Sequence, residues 1–346
     1  MKTSVAIIVA LILGAAAGGN YFLSGGSTEC AGSYEEKLRC FSRHYAALVE
    51  IEGTAAAIKD LEARFPDDPF VRSSCHFLMH EIAHASVAQF ETPEAAYAAG
   101  STFCWDGYYH GIVEEVAKAR GDNGAREWLA GICSTIRGTT VLDFKTCTHS
   151  VGHGIAASTQ GDLPASLALC DEFPTSELRL SCYQGVFMYD AVAHAGAAVS
   201  GKASPLYPCD AVSIDYARGC YTYYMKAFLQ AHGGDTAKVF ALCGTITDDV
   251  VRHSCNESVG RMTTVHDITR AEEIGMDACG TALSDAQKAD CYDGVSYELI
   301  IFHESDRQAL AWCSSVEPSL APRCTAHAAL FYATLFAPMT GMPAGT

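Results

Sequence analysis

Positive charge is scarce in this sequence. Of 346 residues, 23 are Lys or Arg against 40 Asp or Glu, a formal net charge of −17. Neutralising a phosphate backbone needs clustered cations, so nucleic acid is disfavoured as a partner and the acidity reads as solubility. No two cysteines stand as C-x-x-C, which disfavours a redox dithiol or a zinc knuckle of four thiolates. No C-x-x-C-H is available for covalent c-type haem. A Gly-rich phosphate loop and a Ser-His-Asp order are also missing. Charged residues make up only 18% of the chain, whereas 49% is hydrophobic, ample for a core.

One long apolar run is present. Residues 4–23, SVAIIVALILGAAAGGNYFL, carry no charge. They read either as a signal peptide, with small residues near Ala15–Gly19 for cleavage, or as an uncleaved membrane anchor. Lys2 on the short side favours an N-inside orientation that exports everything after residue 24. Ser27-Thr28-Glu29 before Cys30 does not resemble the small, apolar residues that precede a lipid-modified cysteine. Residues 1–24 are therefore expected to be a leader or anchor and 25–39 a linker. All 16 cysteines follow the apolar run, an even number suited to an oxidising compartment, periplasmic or extracellular.

Those cysteines mark a repeat. From Cys133 they fall into couples: Cys133/Cys147, Cys170/Cys182, Cys209/Cys220, Cys243/Cys255, Cys279/Cys291 and Cys313/Cys324. Members lie 11 to 14 positions apart and successive couples begin 34 to 39 positions apart. That period is the mark of stacked helical hairpins. In DTAKVFALCGTITDDVVRHSCNESVGRMTTVHD, an Asp starts a helix ending at Cys243. Gly244-Thr245 break it, and Asp248 or Asp249 starts a second helix with Cys255 about two turns in. A bridge across such a hairpin is geometrically reasonable, and loops this short contribute roughly 3 kcal/mol each. Cys75, Cys104 and Cys147 all read as cysteines of second helices. Cys75 and Cys104 lack hairpin mates and are expected to bridge each other, leaving Cys30 with Cys40.

The expected fold is all-α, a solenoid of stacked hairpins of about 36 residues, each cross-linked by a disulfide. Period, hairpin and bridge together resemble the disulfide-bridged members of the tetratricopeptide and Sel1-like class over roughly residues 40–335. Residues 40–160 are expected to form N-terminal repeats with a His-rich site, 161–335 C-terminal repeats, and 336–346 a flexible tail.

Counted from each second-helix cysteine, six positions on lie His110, His153, Met188, Lys226, Arg261, Tyr297 and Leu330. Most of these are polar, so the stripe is expected to line a groove, with Val113, Ile155, Val186 and Val295 packed inward. In the first units the stripe becomes rich in ligand-type side chains. CHFLMHEIAH supplies His76, His80 and His84; the next segments supply His110 with Glu114, and His149 with His153. A spacing of four puts each pair on one helical face, about 6 Å apart, as helix-borne chelators require. Glu115 lies about 100° round the helix from Glu114. Gly107, Gly111, Gly152 and Gly154 would let those helices approach closely. Imidazole with carboxylate suits zinc, iron or copper, and this many imidazoles suit one or two ions. The remaining histidines, His44, His194, His232, His253, His266, His303 and His327, read as ordinary satisfied polar residues.

His80-Glu81-Ile82-Ala83-His84 resembles the H-E-x-x-H motif of zincin peptidases. That resemblance implies His80 and His84 as zinc ligands, Glu81 as the catalytic base, and Glu114 or His110 as the third ligand. Against it, nothing near the segment reads as an alternating strand that could seat a peptide; Glu81 would then orient an imidazole instead. Trp105, Tyr108 and Tyr109 lie close enough in sequence to serve a substrate or a radical, or simply to pack.

Further along, Tyr223, Lys226, Arg261 and Tyr297 make a stripe of aromatics and cations suited to a peptide, protein or small carboxylate-bearing ligand. Two functions follow: a metal-binding protein, as a hydrolytic or oxidative metalloenzyme or a carrier, or a partner-binding scaffold without catalysis.

Overall fold

The computed structural model describes residues 30–135, 140–199 and 204–338. The leader at 1–24, the first part of the linker, and the tail from 339 lie outside the described residues, as does the His194 side chain. Among the described residues the chain is all-helical, with no strand and eight disulfides.

In chain order the helices are α1 (Tyr34–Glu52), α2 (Thr54–Arg64), α3 (Pro69–Ser86), α4 (Pro93–Ala98), α5 (Gly107–Thr135), α6 (Val141–Ser158), α7 (Leu163–Cys170) and α8 (Ser176–Val199). They continue as α9 (Ile214–Ala231), α10 (Thr236–Cys243), α11 (Asp249–Thr264), α12 (Ala271–Gly280), α13 (Asp285–His303), α14 (Arg307–Cys313) and α15 (Ala321–Leu335). Short acceptor side chains start most of them. Asp162, Asp235, Asp248 and Ser284 each take a backbone N–H of the following first turn, satisfying groups a helix start leaves unpaired.

Cysteine pairs join short helices to long ones. Cys170, Cys243 and Cys313 are the last residues of α7, α10 and α14, and bond to Cys182, Cys255 and Cys324 in α8, α11 and α15. Cys279–Cys291, Cys209–Cys220 and Cys133–Cys147 complete the regular series; Cys75–Cys104 and Cys30–Cys40 are the irregular pairs. Each long helix lies against the next, in the order α1, α3, α5, α6, α8, α9, α11, α13, α15, with a continuous apolar core between them. Val113, Ile155, Val186 and Val295 are buried in that core.

Four sequence expectations need correction. The linker is shorter than 25–39, because Ser33 starts α1 with a capping box: its hydroxyl accepts the Glu36 N–H and the Glu36 carboxylate accepts its own. Cys104 is not inside a second helix. With Trp105 and Asp106 it forms a left-handed turn (φ 58°, 56° and 62°), and the helix begins only at Gly107. Cys133 does not end a separate short helix, since α5 runs unbroken from Gly107 to Thr135.

The fourth concerns contacts between early and late segments of the described chain. Val141 N–H donates to Ala337 O at 3.1 Å and Thr140 pairs with Pro338, so the tail is tied down as far as residue 338. Arg72 pairs with Asp267 at 3.5 Å, Phe65 stacks on Phe302, and Thr102 donates to Glu304. Part of the polar stripe is thereby an interior seam where an open groove was expected, although Lys226 stays exposed. His110, His149, His153 and Arg261 are all buried, the last only 7% exposed.

Candidate metal centre

Three helices carry the histidines, each started by local chemistry. Asp68 accepts the N–H of Phe70 at 2.8 Å and of Val71 at 3.2 Å, and Pro69 at the first helical position fits because its missing N–H would be unpaired there. Val71, Cys75, Leu78, Met79 and Ile82 bury one face of α3 and leave His76, His80 and His84 on another. Thr140 and Asp143 form a capping box that starts α6, whose His149 and His153 sit one turn apart. Between these helices α5 presents His110 and Glu114, while Glu115 points away, only half-buried.

Glycines set the helix separation. A Cβ on Gly107 would stand 2.5 Å from His76 O, and one on Gly111 would stand 2.7 Å from His80 O. Only glycine allows α5 so near α3. That contact brings the His110 ring within 5.1 Å of His76 and 5.3 Å of His80, centroid to centroid. Gly152 and Gly154 of α6 are likewise pressed against neighbouring helices.

The seven side chains converge. His76, His80 and His110 form one set whose ligand atoms lie within 4.8 Å of one another; His110, His149 and His153 form a second; His80, His84 and Glu114 form a third. His110 stacks on His153 at 4.4 Å. Glu114, 6% exposed, holds Oε1 2.7 Å from His153 Nδ1, and Oε2 3.2 Å from His84 Nε2 and 3.5 Å from His80 Nδ1. Any of these sets could hold a metal ion.

Burial sets the electrostatics. Loss of water around His76, reinforced by the charge of His80, pushes its pKa down to about 3, and burial holds His110 and His149 well below the ordinary imidazole value. Burial also lowers His153, although Glu114 works against it. Glu114 would be raised by burial, but the positive charge of His80 and N–H bonds from His153, His80 and His84 hold it well below the usual carboxylate range. Lowered pKa values at His76, His110, His149 and His153 near an ionised Glu114 favour the protonation state that metal binding requires.

Glu81 touches this cluster only at its margin, 3.9 Å from His84 Nδ1. Tyr108 is buried and donates to Ala96 O at 3.0 Å, and Tyr109 packs on Tyr97. Trp105 reaches elsewhere: its Nε1–H donates to Glu298 Oε2 at 2.9 Å.

The aromatic and cationic stripe divides. Tyr223 packs on His149 with centroids 5.2 Å apart, and Arg261 lies 3.7 Å over the Tyr297 ring while its Nε donates to Glu298 Oε1 at 2.8 Å. Lys226 does not join them. It is exposed, and lines a surface pocket with Leu229, Met262 and His266.

Two features escaped the sequence reading. Tyr189 packs edge-on to His153 at 6.3 Å, one position past the register that placed Met188. Glu298, next to Tyr297, links Trp105 to Arg261. His253, read as a satisfied polar residue, is one: its Nδ1 lies 2.9 Å from Asp290 Oδ1. With Asp293 it makes a further set near enough to hold a cation, but Arg323 already donates to both aspartates.

No family model, curated protein or solved structure matches this chain. Fold and site therefore define its class by themselves: an all-helical, disulfide-rich protein with buried His and Glu groups that could hold metal. Eight disulfides, with no free cysteine among the described residues, suggest an exported protein in an oxidising compartment. No described helix is long and apolar enough to cross a membrane.

Proposed function

We propose that this is an exported metal-binding protein of the helical-repeat kind, with its ion held where α3, α5 and α6 meet. One observation carries the reading. His110 Nδ1 and His153 Nε2 are buried ring nitrogens with no hydrogen-bond partner. A buried polar atom left unpaired costs about 1–3 kcal/mol, and these two face a space ringed by further imidazoles. A cation among them turns that cost into coordination.

The donors suit zinc, iron or copper. The repeat reading makes the scaffold a solenoid of hairpins resembling the tetratricopeptide and Sel1-like class, exported to the periplasm or cell exterior and tethered if residues 1–24 stay attached. Activity at the metal, hydrolytic or oxidative, is the natural extension. Glu81 is its candidate base in the hydrolytic form, reaching the centre through His84. The scaffold alternative draws less support, because Arg261 already has Glu298 and Tyr297 as partners and so has little left to offer a peptide.

Elemental analysis of protein exported with its disulfides formed tests the reading. Near-integral zinc, iron or copper is expected, and His110→Ala with His153→Ala should abolish it while the helical spectrum persists. Equal metal in both proteins would refute it. Turnover of a peptide or an oxidisable substrate that vanishes in Glu81→Gln would establish hydrolytic catalysis if the substrate is a peptide.

A further inference from the structure

The proton positions around the cluster can be read from its neighbours. His76 Nδ1 lies 2.9 Å from Cys104 O. A carbonyl only accepts, so Nδ1 carries the proton and Nε2 is bare. That bare nitrogen stands 3.2 Å from His80 Nε2. Two imidazoles bound to one tetrahedral ion, with bonds of about 2.0–2.1 Å, hold their nitrogens roughly 3.3 Å apart.

Glu114 faces the opposite edges of the rings. Its Oε1 accepts from His153 Nδ1 at 2.7 Å, and its Oε2 lies 3.5 Å from His80 Nδ1 and 3.2 Å from His84 Nε2. A carboxylate taking the proton of His153 Nδ1 leaves that ring's Nε2 bare and turned to the common space. His80 Nε2 donates to the bare His76 Nε2 until an ion displaces that proton and shifts it to Nδ1, beside Glu114. His153 Nε2 is buried without a partner, and so is His110 Nδ1 on the ring stacked against it. Cysteine is excluded as a donor, since every one described is in a disulfide.

Resting on the metal reading, we infer that Glu114 and His84 are not ligands, and that the ion is held by nitrogen alone. The sets His76/His80/His110 and His110/His149/His153, joined through His110, are the coordinating groups. Glu114 is a positioning residue that fixes the tautomer of His153 and stands ready to take the Nδ1 proton of metal-bound His80, and His84 braces Glu114 from the outside. Nitrogen-only donors favour copper or zinc over iron, whose non-haem sites combine imidazole with carboxylate.

The experiment loads disulfide-intact protein with Zn(II) or Cu(II) alone and compares variants by elemental analysis, affinity and X-ray absorption. His84→Ala, altered at a partly exposed position, should keep the wild-type metal content. Glu114→Gln should keep the ion but bind it about 10–100-fold more weakly, with Glu114→Ala weaker still. His110→Ala should lose the ion. Absorption should show only imidazole nitrogen from the protein, unchanged by Glu114→Gln. A folded His84→Ala or Glu114→Gln that loses an ion outright, or a protein oxygen ligand that disappears with Glu114→Gln, overturns the inference and leaves the metal reading standing. Wild-type protein that binds neither ion overturns both.

Discussion

His153 donates from Nδ1 to Glu114 Oε1 across 2.7 Å, and its other ring nitrogen is buried with nothing to bond. One ring therefore joins an ionised carboxylate to an unfilled acceptor position. A core histidine retained only for packing would not need that combination.

Protons should compete weakly with metal here. Burial holds His76 at about 3 and His110, His149 and His153 below the ordinary imidazole range, so the metal-free protein already presents bare nitrogens at neutral pH. Competition from these rings grows only as pH falls toward those lowered values. Zinc affinity should change less than about tenfold between pH 8 and 6, and binding at pH 7 should release far fewer protons than it would from exposed histidines of pKa near 6.5. Calorimetry in buffers of different ionisation enthalpy measures that release directly. Release of about a quarter of a proton per imidazole, the amount expected of exposed histidines at pH 7, would contradict the expectation.

Asp106 should impose a stability cost at high pH. Burial raises its carboxyl to about 7, and Oδ1 has no partner while Oδ2 accepts from Thr146. The folded protein keeps a proton that the unfolded chain gives up near pH 4. Stability from this group is complete below pH 4 and is lost as pH rises through about 7. Asp106→Asn removes the titration. It should stabilise by on the order of 4 kcal/mol at pH 8 and by almost nothing at pH 4, as seen in urea midpoints at the two pH values.

Removing disulfides should separate folding from metal binding. Cys243 and Cys255 close a hairpin 12 positions apart, on α10 and α11, which carry none of the candidate metal ligands. Replacing both by Ala should cost about 3 kcal/mol and leave metal content alone. Replacing Cys75 and Cys104 by Ala should also weaken metal binding, because the Cys104 carbonyl holds the proton of His76. Equal metal affinity in the two double variants would argue against that link.

Gly111→Ala should damage the centre out of proportion to its size. The added methyl would stand 2.6 Å from Ala83 Cβ and 2.7 Å from His80 O, driving α5 away from α3. A destabilisation of about 1–3 kcal/mol is expected, with at least tenfold weaker metal binding. Gly131→Ala, on an exposed part of the same helix with open space around it, is the control and should bind metal as the wild type does.

Much of the fold was legible because its rules are local. Cysteine spacing reports hairpins, Asp and Ser before apolar runs report helix starts, and histidines four apart report a shared face. What escaped notice depends on long-range closure. Trp105 and Glu298 are 193 positions apart, and no periodic pattern connects them. The left-handed turn at 104–106 escaped because its residues are not glycine or asparagine, the usual signals for positive φ. Lys226 was misplaced for a subtler reason. Counting from the cysteine aligns backbones, yet at the same register Lys226 is exposed while Arg261 is buried against Glu298 and Tyr297.

Contacts between segments far apart in sequence have a consequence for evolution and engineering. An open array can gain or drop a unit at little cost, but here Phe65 must find Phe302, and Val141 must find Ala337. One hairpin more or fewer would pull those partners out of reach and unroof the interior. The number of units is therefore as much a part of this protein's identity as its histidines.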